Sequence, residues 1–290
     1  MGALDSKSSG FLYGFLGVAI FSGSLPATRL AVSDFDPLFL SVARASIAGL
    51  LGIALLLLFK EKRPSKDQLV PLIIVAFGVV LGFPLLTALA LKHITSAQSI
   101  VFIGLLPLAT AIFGVIRGGE RPHFGFWLFS CLGSALVVGY SIRNGFHASI
   151  EGDLLMLAAI VVCGFGYAEG AILSRSLGGW QVISWALVLS LPFMLAVSFY
   201  SAPETFSGIK ASSWLSLAYV SLFSMMIGFV FWYRGLAQGG IAAVGQLQLL
   251  QPFMGLMLAA TILKEPVDIG MVAVCVGVIG CVVGAKRFSR

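Results

Sequence analysis

The sequence predicts an all-α integral membrane protein, with ten transmembrane helices in two inverted five-helix repeats, and three observations lead there. The 290 residues are 59% hydrophobic and only 10% charged, against roughly a quarter charged in soluble domains. No water-soluble interior of this size can hide so much apolar surface. A bilayer-spanning helix needs about 20 mostly apolar residues, and the chain has room for about ten. A stretch near the middle then recurs near the end: Pro107 and Pro252, Glu120 and Glu265, Gly125 and Gly270, and Gly139 and Gly284 are each 145 positions apart. Residues 11–141 and 152–285 are therefore expected to be homologous halves of five spans each.

The first span runs from Phe11 to Ala31 and is interrupted by Gly23 and Pro26. Its segment SGSLPA (22–27) aligns with CGFGYA (163–168) at the start of the second half. Further spans are expected over Pro37 to Phe59, Leu69 to Leu91, Thr95 to Ile116 and Phe124 to Ser141. The second half follows with Gly152 to Ser174, Gln181 to Ser201, Trp214 to Arg234, Ala242 to Leu263 and Val267 to Ala285. Pro107 and Pro252 lack an amide donor, so they mark where the fourth and ninth spans flex or break.

Five spans is an odd number, so the second half enters the membrane from the side opposite to the first. Inverted repeats of this kind recur among secondary transporters, which hold substrate near the midplane where the repeats meet. Arg29, Lys92, Arg143, Lys210 and Lys264 fall on one side, Arg44 lies within a span, and the other twelve of the 18 basic residues fall on the side of the N-terminus. Short basic loops stay in the cytoplasm, which puts both termini there.

Other classes find little support. Cys131, Cys163, Cys275 and Cys281 lie in apolar runs without CxxC or Cys/His spacing, so neither a disulfide framework nor a metal site is expected. His93, His123 and His147 belong to no HExxH, and there is no GxSxG or phosphate-binding loop, so no enzyme and no cofactor are expected. The net charge of +6 comes from loops and termini and does not point to nucleic acid.

The proline-bearing helix followed by a glutamate and a glycine-led helix, present twice, resembles the EamA repeat of the drug/metabolite transporter superfamily. So does the glycine with small residues at Gly23 and Gly164. The resemblance covers about residues 11–285. In overall character the chain is similar to bacterial amino-acid exporters of the YddG type, departing from the family at Ser22 and Cys163, where members often place an aromatic. The resemblance implies a monomeric carrier of the inner membrane, with a small-molecule substrate and the lipid bilayer as its partners. It implies export of small metabolites, amino acids (broad or aromatic) ahead of drug-like cations or nucleotide sugars. A non-transporting scaffold is disfavoured, because no soluble domain is evident to receive a signal. Glu120 and Glu265 read as helix-end, gate-closing residues.

Polar side chains inside spans carry the remaining information, because hydrocarbon penalises them unless partners or a wet cavity receive them. Subtracting 145 places Gln246 at Val101, one turn from Gln98, so Gln98 and Gln246 are expected on equivalent faces lining the cavity, extended by Phe102 and Leu250. Gln248 and Gln251 point elsewhere on an α-helix and are read as interhelical hydrogen-bonding groups. Gly82-Phe83 and Gly228-Phe229 correspond at an offset of 146, which adds Phe83, Thr87 and Tyr233 to the expected substrate contacts. Glu169 is the one carboxylate well inside a span, either exchanging protons or pairing with Arg234 or Arg175. Arg44 either snorkels to the outer interface or faces the cavity.

Overall fold

The computed structural model describes residues 6–90, 93–94, 102–143, 149–262 and 269–289, and among these every regular element is a helix. The first half comprises α1 (Ser6–Ser22), α2 (Ser24–Ala31), α3 (Pro37–Leu58), α4 (Lys66–Val75), a π-helical segment (Ala76–Gly82), α5 (Phe83–Ala90), α6 (Leu106–Gly118) and α7 (Phe124–Arg143). The second comprises α8 (Ile150–Leu177), α9 (Gly179–Tyr200), α10 (Ala211–Tyr219), a second π segment (Val220–Ile227) and α11 (Gly228–Gly239). It continues with α12 (Ile241–Gly245), a 3-10 segment (Gln246–Leu250), α13 (Gln251–Ile262) and α14 (Ile269–Arg287). Among the described residues, six helical stretches are long and apolar enough to cross a membrane: Lys7–Thr28, Pro37–Leu58, Lys66–Thr87, Ile150–Leu177, Gly179–Tyr200 and Ala211–Gly239. Leu57, Leu58, Val70, Ile116, Phe124 and Leu215 stand outward, as side chains meeting lipid do.

Local chemistry sets several boundaries. At α3 the Asp36 carboxylate accepts the amides of Leu38 (2.8 Å) and Phe39 (3.2 Å), and Pro37 takes the first turn, where its missing N–H costs nothing. The Ser65 amide donates to Gln68 Oε1 (2.9 Å), half of a capping box that starts α4. Helix α1 stops at Ser22 because Pro26 has no amide to give the carbonyl one turn back. Gly23 lies at that break beside the Tyr219 hydroxyl, which donates to Ile20 O (2.9 Å) and would collide with any Cβ at position 23. The aligned segment of the second half has Tyr167 where the first has Pro26, and α8 runs straight through it.

The π segments occupy matching places. In each a backbone amide reaches five residues back, Phe83 to Gly78 and Gly228 to Phe223. Each widened stretch ends beside a glycine whose absent Cβ leaves room for a carbonyl: a Cβ at Gly82 would lie 2.5 Å from Phe77 O, and one at Gly228 3.1 Å from Phe223 O. In the first half Pro84 adds a cause by withholding an amide from Val80.

Packing links the halves pairwise. Helix α1 lies on α11, α8 on the run α4–π–α5, α3 on α9, α7 on α14, and α6 beside α12 and the 3-10 segment. Exchanging the halves maps this set of pairs onto itself. The α1/α11 crossing uses small residues four apart, Gly10 and Gly14 against Gly235 and Gly239; a Cβ on Gly10 would come within 2.3 Å of the Gly239 amide.

Candidate functional site

The seam between halves is the antiparallel contact of α6 with α12 and the 3-10 segment. Along it Gln246 Nε2 donates to Pro107 O (3.4 Å), Thr110 packs against Gly245, and Gly114 meets Ile241. Gly240, at φ +95°, turns the chain from α11 into α12 and presents the first amides of α12 outward. Those amides have no carbonyl within their own helix. Glu120, just beyond α6, supplies the acceptors: Oε1 takes the Ile241 amide at 2.6 Å and Oε2 takes that of Ala242 at 2.8 Å. A carboxylate of one half thus caps a helix of the other, at the end where the helix dipole favours negative charge.

Two cations reinforce this end. Arg175 Nη2 is 3.9 Å from Glu120 Oε1, and Arg117 Nε bonds Glu169 Oε1, tying α6 to α8. Glu169 is 2% exposed and Arg117 48% exposed, so the pair runs from interior to surface. The sequence offered Arg234 or Arg175 as its partner. Arg117 takes the role because α6 packs along α8, while the Arg234 guanidinium lies over the Tyr13 ring (4.3 Å) and Arg175 turns to Glu120. Beside Glu120 lies a cavity of about 380 Å³ lined by Lys7, Arg121, Arg175 and Lys286, with Glu120 the one acidic residue among the described residues of its wall.

Above this seal the interior is aromatic. Phe21, Tyr167, Phe229, Trp232 and Tyr233 form a chain of ring contacts with centroids 4.9 to 6.3 Å apart. Ser24 and Ser224 share a hydrogen bond (2.7 Å) across the kink of the α1–α2 run. At the opposite end Asp34 accepts from Ser213 Oγ (2.7 Å) and the Lys210 amide (3.1 Å), fastening the loop after α2 to the start of α10. The Ser213 bond, then the Lys210 amide, hold the Asp34 carboxyl below its ordinary acidity value.

The expected site residues fall out as follows. Gln98 lies outside the described residues, as does Glu265. Gln246 is fully buried in the seam, with Oε1 lacking a partner. Phe102 is buried, and Leu250 packs half-buried against the same core. Pro107 and Pro252 both sit in the first turn of a helix, after a turn at Gly104–Leu105 in one case and after the 3-10 segment in the other. Tyr233 is completely enclosed, its ring against Gly170. Phe83 and Thr87 lie on α5, half-buried, and Thr87 Oγ1 is an enclosed hydroxyl without a partner. Gln248, expected to bond a neighbouring helix, is buried with both amide atoms unpartnered. Its surroundings differ from the α-helical expectation because residues 246–250 wind as a 3-10 helix, turning about 120° per residue instead of 100°.

Arg44 lies seven residues into α3, about 10 Å from its start. Protein surrounds it, yet its side chain keeps partial access, and its Nε has no hydrogen-bond partner. On one side it is flanked by Ala48 and Leu55, which belong to the central packing, and on the other by the exposed Ile47 and Leu58, each within about 60° around the helix, so Arg44 stands at the border of the packed and outward faces of α3. Sequence reasoning missed Trp232, Tyr167, the Ser24–Ser224 bond and the π segments; the Gly-Phe pair shared by the halves was the one signal pointing at the last.

Comparison with known proteins completes the picture. The model of the EamA-like transporter family matches residues 8–141 and again 150–285. A Bacillus subtilis (strain 168) protein named uncharacterized transporter YdeK is 66% identical over 287 residues, covering 99% of this chain and 100% of that protein. Uncharacterized transporter YyaM of the same organism is 25% identical over 282 residues, covering 91% and 90% of the two chains. The uncharacterized inner membrane transporter YedA of Escherichia coli (strain K12) is 23% identical over 194 residues, covering 65% and 63%. One solved crystal structure superposes with a TM-score of 0.82 at 20% identity, covering 98% of both chains, a likeness of fold.

Proposed function

Since the chain belongs to the EamA-like transporter family, we propose that it is a secondary transporter exporting small metabolites, amino acids foremost, across a bacterial inner membrane by alternating access. It works as a monomer of ten spans in two inverted repeats, with both termini cytoplasmic. The observation that carries this reading is the Glu120 cap, a contact between halves made of two charge-assisted hydrogen bonds at one end of their seam. Such a contact forms when that end closes and breaks when it opens, which is what an alternating-access gate requires. The self-consistent exchange of helix pairs and the antiparallel run of α6 beside α12 support the inverted arrangement.

Substrate is held between the faces of Gln98 and Phe102 on the fourth span and Gln246 and Leu250 on the ninth, with Phe83, Thr87 and Tyr233 beside them. Carboxamides exchange hydrogen bonds with a polar solute without the desolvation cost of a fixed charge. Pro107 and Pro252 act as the hinges. A lipophilic-cation exporter fits less well, because Glu169, the acid deepest in a helix, is already paired with Arg117. Efflux from proteoliposomes across amino acids, sugars and lipophilic cations tests the reading. Amino-acid movement is the expected result, and movement of cations alone overturns it.

A further inference from the structure

Two features of the charge distribution lie outside the gate. The first is Arg44, a permanently charged group with five donor hydrogens, whose Nε is buried while the rest of the side chain keeps partial access, and which has, among the described residues, no carboxylate or other acceptor bonded to it. A cation so placed is costly unless something compensates it. The second is the cavity at the Glu120 end, where, among the described residues, Lys7, Arg121, Arg175 and Lys286 surround one carboxylate, already occupied by two amides. Both features attract the same sign of charge, and they lie in different parts of the molecule. A guanidinium meets a carboxylate through two parallel hydrogen bonds, a geometry an ammonium cannot reproduce.

From this we infer that Arg44 binds the carboxylate of the transported solute, and that the basic cavity collects that anionic group before it enters. The inference rests on the transporter reading above and deepens it. Substrates are then amino acids or simple carboxylic acids; their decarboxylated amines are rejected, since an amine leaves Arg44 unpaired and adds a like charge.

The experiment uses the full chain in lipid nanodiscs and measures binding of phenylalanine and leucine, their amines phenethylamine and isoamylamine, 3-phenylpropionate, glycerol 3-phosphate and tetraphenylphosphonium. Wild type should bind carboxylate-bearing probes and not the matched amines. Arg44→Gln should weaken that binding roughly 10- to 100-fold, the range for a hydrogen-bonded charged group, Arg44→Lys by less, and Lys62→Gln, on an exposed loop, not at all. Should Arg44→Gln fail to fold, the acid and amine pairs on wild type together with Arg44→Lys decide. Equal binding of amine and amino acid, binding of the phosphate or phosphonium alone, no binding of any carboxylate, or unchanged binding by Arg44→Gln overturns the inference. Arg44-dependent carboxylate binding without transport removes the transporter reading and leaves this one standing. Amino-acid transport indifferent to Arg44→Gln does the reverse.

Discussion

Replacing Glu120 by alanine isolates the contact between halves. The substitution removes two charge-assisted hydrogen bonds, at 2.6 and 2.8 Å, and a charge sitting at the start of α12. Each such bond contributes about 1.5 to 3 kcal/mol when desolvated, but Glu120 is 19% exposed beside a cavity of about 380 Å³, so water can replace part of the loss. A total near 2 kcal/mol is reasonable, which shifts the open-to-closed ratio at this end about 30-fold. Ala243 lines the same cavity while only 5% exposed, which makes Ala243→Cys in a background free of the four native cysteines a reporter of opening. Its reaction with a membrane-impermeant maleimide should accelerate by about that factor in Glu120→Ala. Glu120→Gln, whose single carbonyl oxygen still accepts one amide, should give a smaller increase. If both variants label within twofold of the parent and melt at the same temperature, the contact does not govern opening.

Further outcomes follow from other contacts. Arg117→Ala strands Glu169 in the interior and should lower stability by about 3 kcal/mol, the low end for a broken buried pair because Arg117 is half exposed, with Arg117→Ala/Glu169→Gln recovering much of it in thermal unfolding. Asp34 has a lowered acidity value in the fold, so its contribution is complete above the ordinary 3.8 and disappears as pH falls through the lower folded value; Asp34→Asn should flatten that acid limb of a pH-unfolding profile. Cysteine labelling at Ser65 and Lys286 should report a cytoplasmic address and at Ser207 an external one, and a shared side for Ser65 and Ser207 defeats the inverted arrangement. Gln246→Ala should reduce transport in folded protein, while Gln248→Leu, which replaces an unpartnered buried amide by an apolar group of similar size, should leave transport unchanged and stability no lower; the opposite pattern misplaces the substrate face.

What was legible in the sequence was what local chemistry decides. Pro37 opens a helix because the residue before it, Asp36, can cap, and the Gly23–Pro26 break needs no partner to occur. The partner of Glu169 was not legible, because Arg117, Arg175 and Arg234 all end helices on the same side in sequence terms and only the packing of α6 on α8 selects among them. Gln248 misled for a related reason: the rotation used to orient it assumed an α-helix, and five residues of tighter winding changed the geometry. The second π segment announced itself only through the shared Gly-Phe, since VSLFSMMI contains no proline and reads as ordinary apolar helix.

That pair of π segments says something about tolerance. A wide turn of this type stores one residue more than an α-helix needs between the same two flanks, so it behaves as slack in the chain. Both halves carry it just ahead of the shared Gly-Phe. Removing one residue inside Ala76–Gly82 lets the stretch rewind with α4 and α5 still presenting their present faces. The same deletion a few residues away would swing everything beyond it by about 100°, carrying Phe83 and Thr87 off their neighbours.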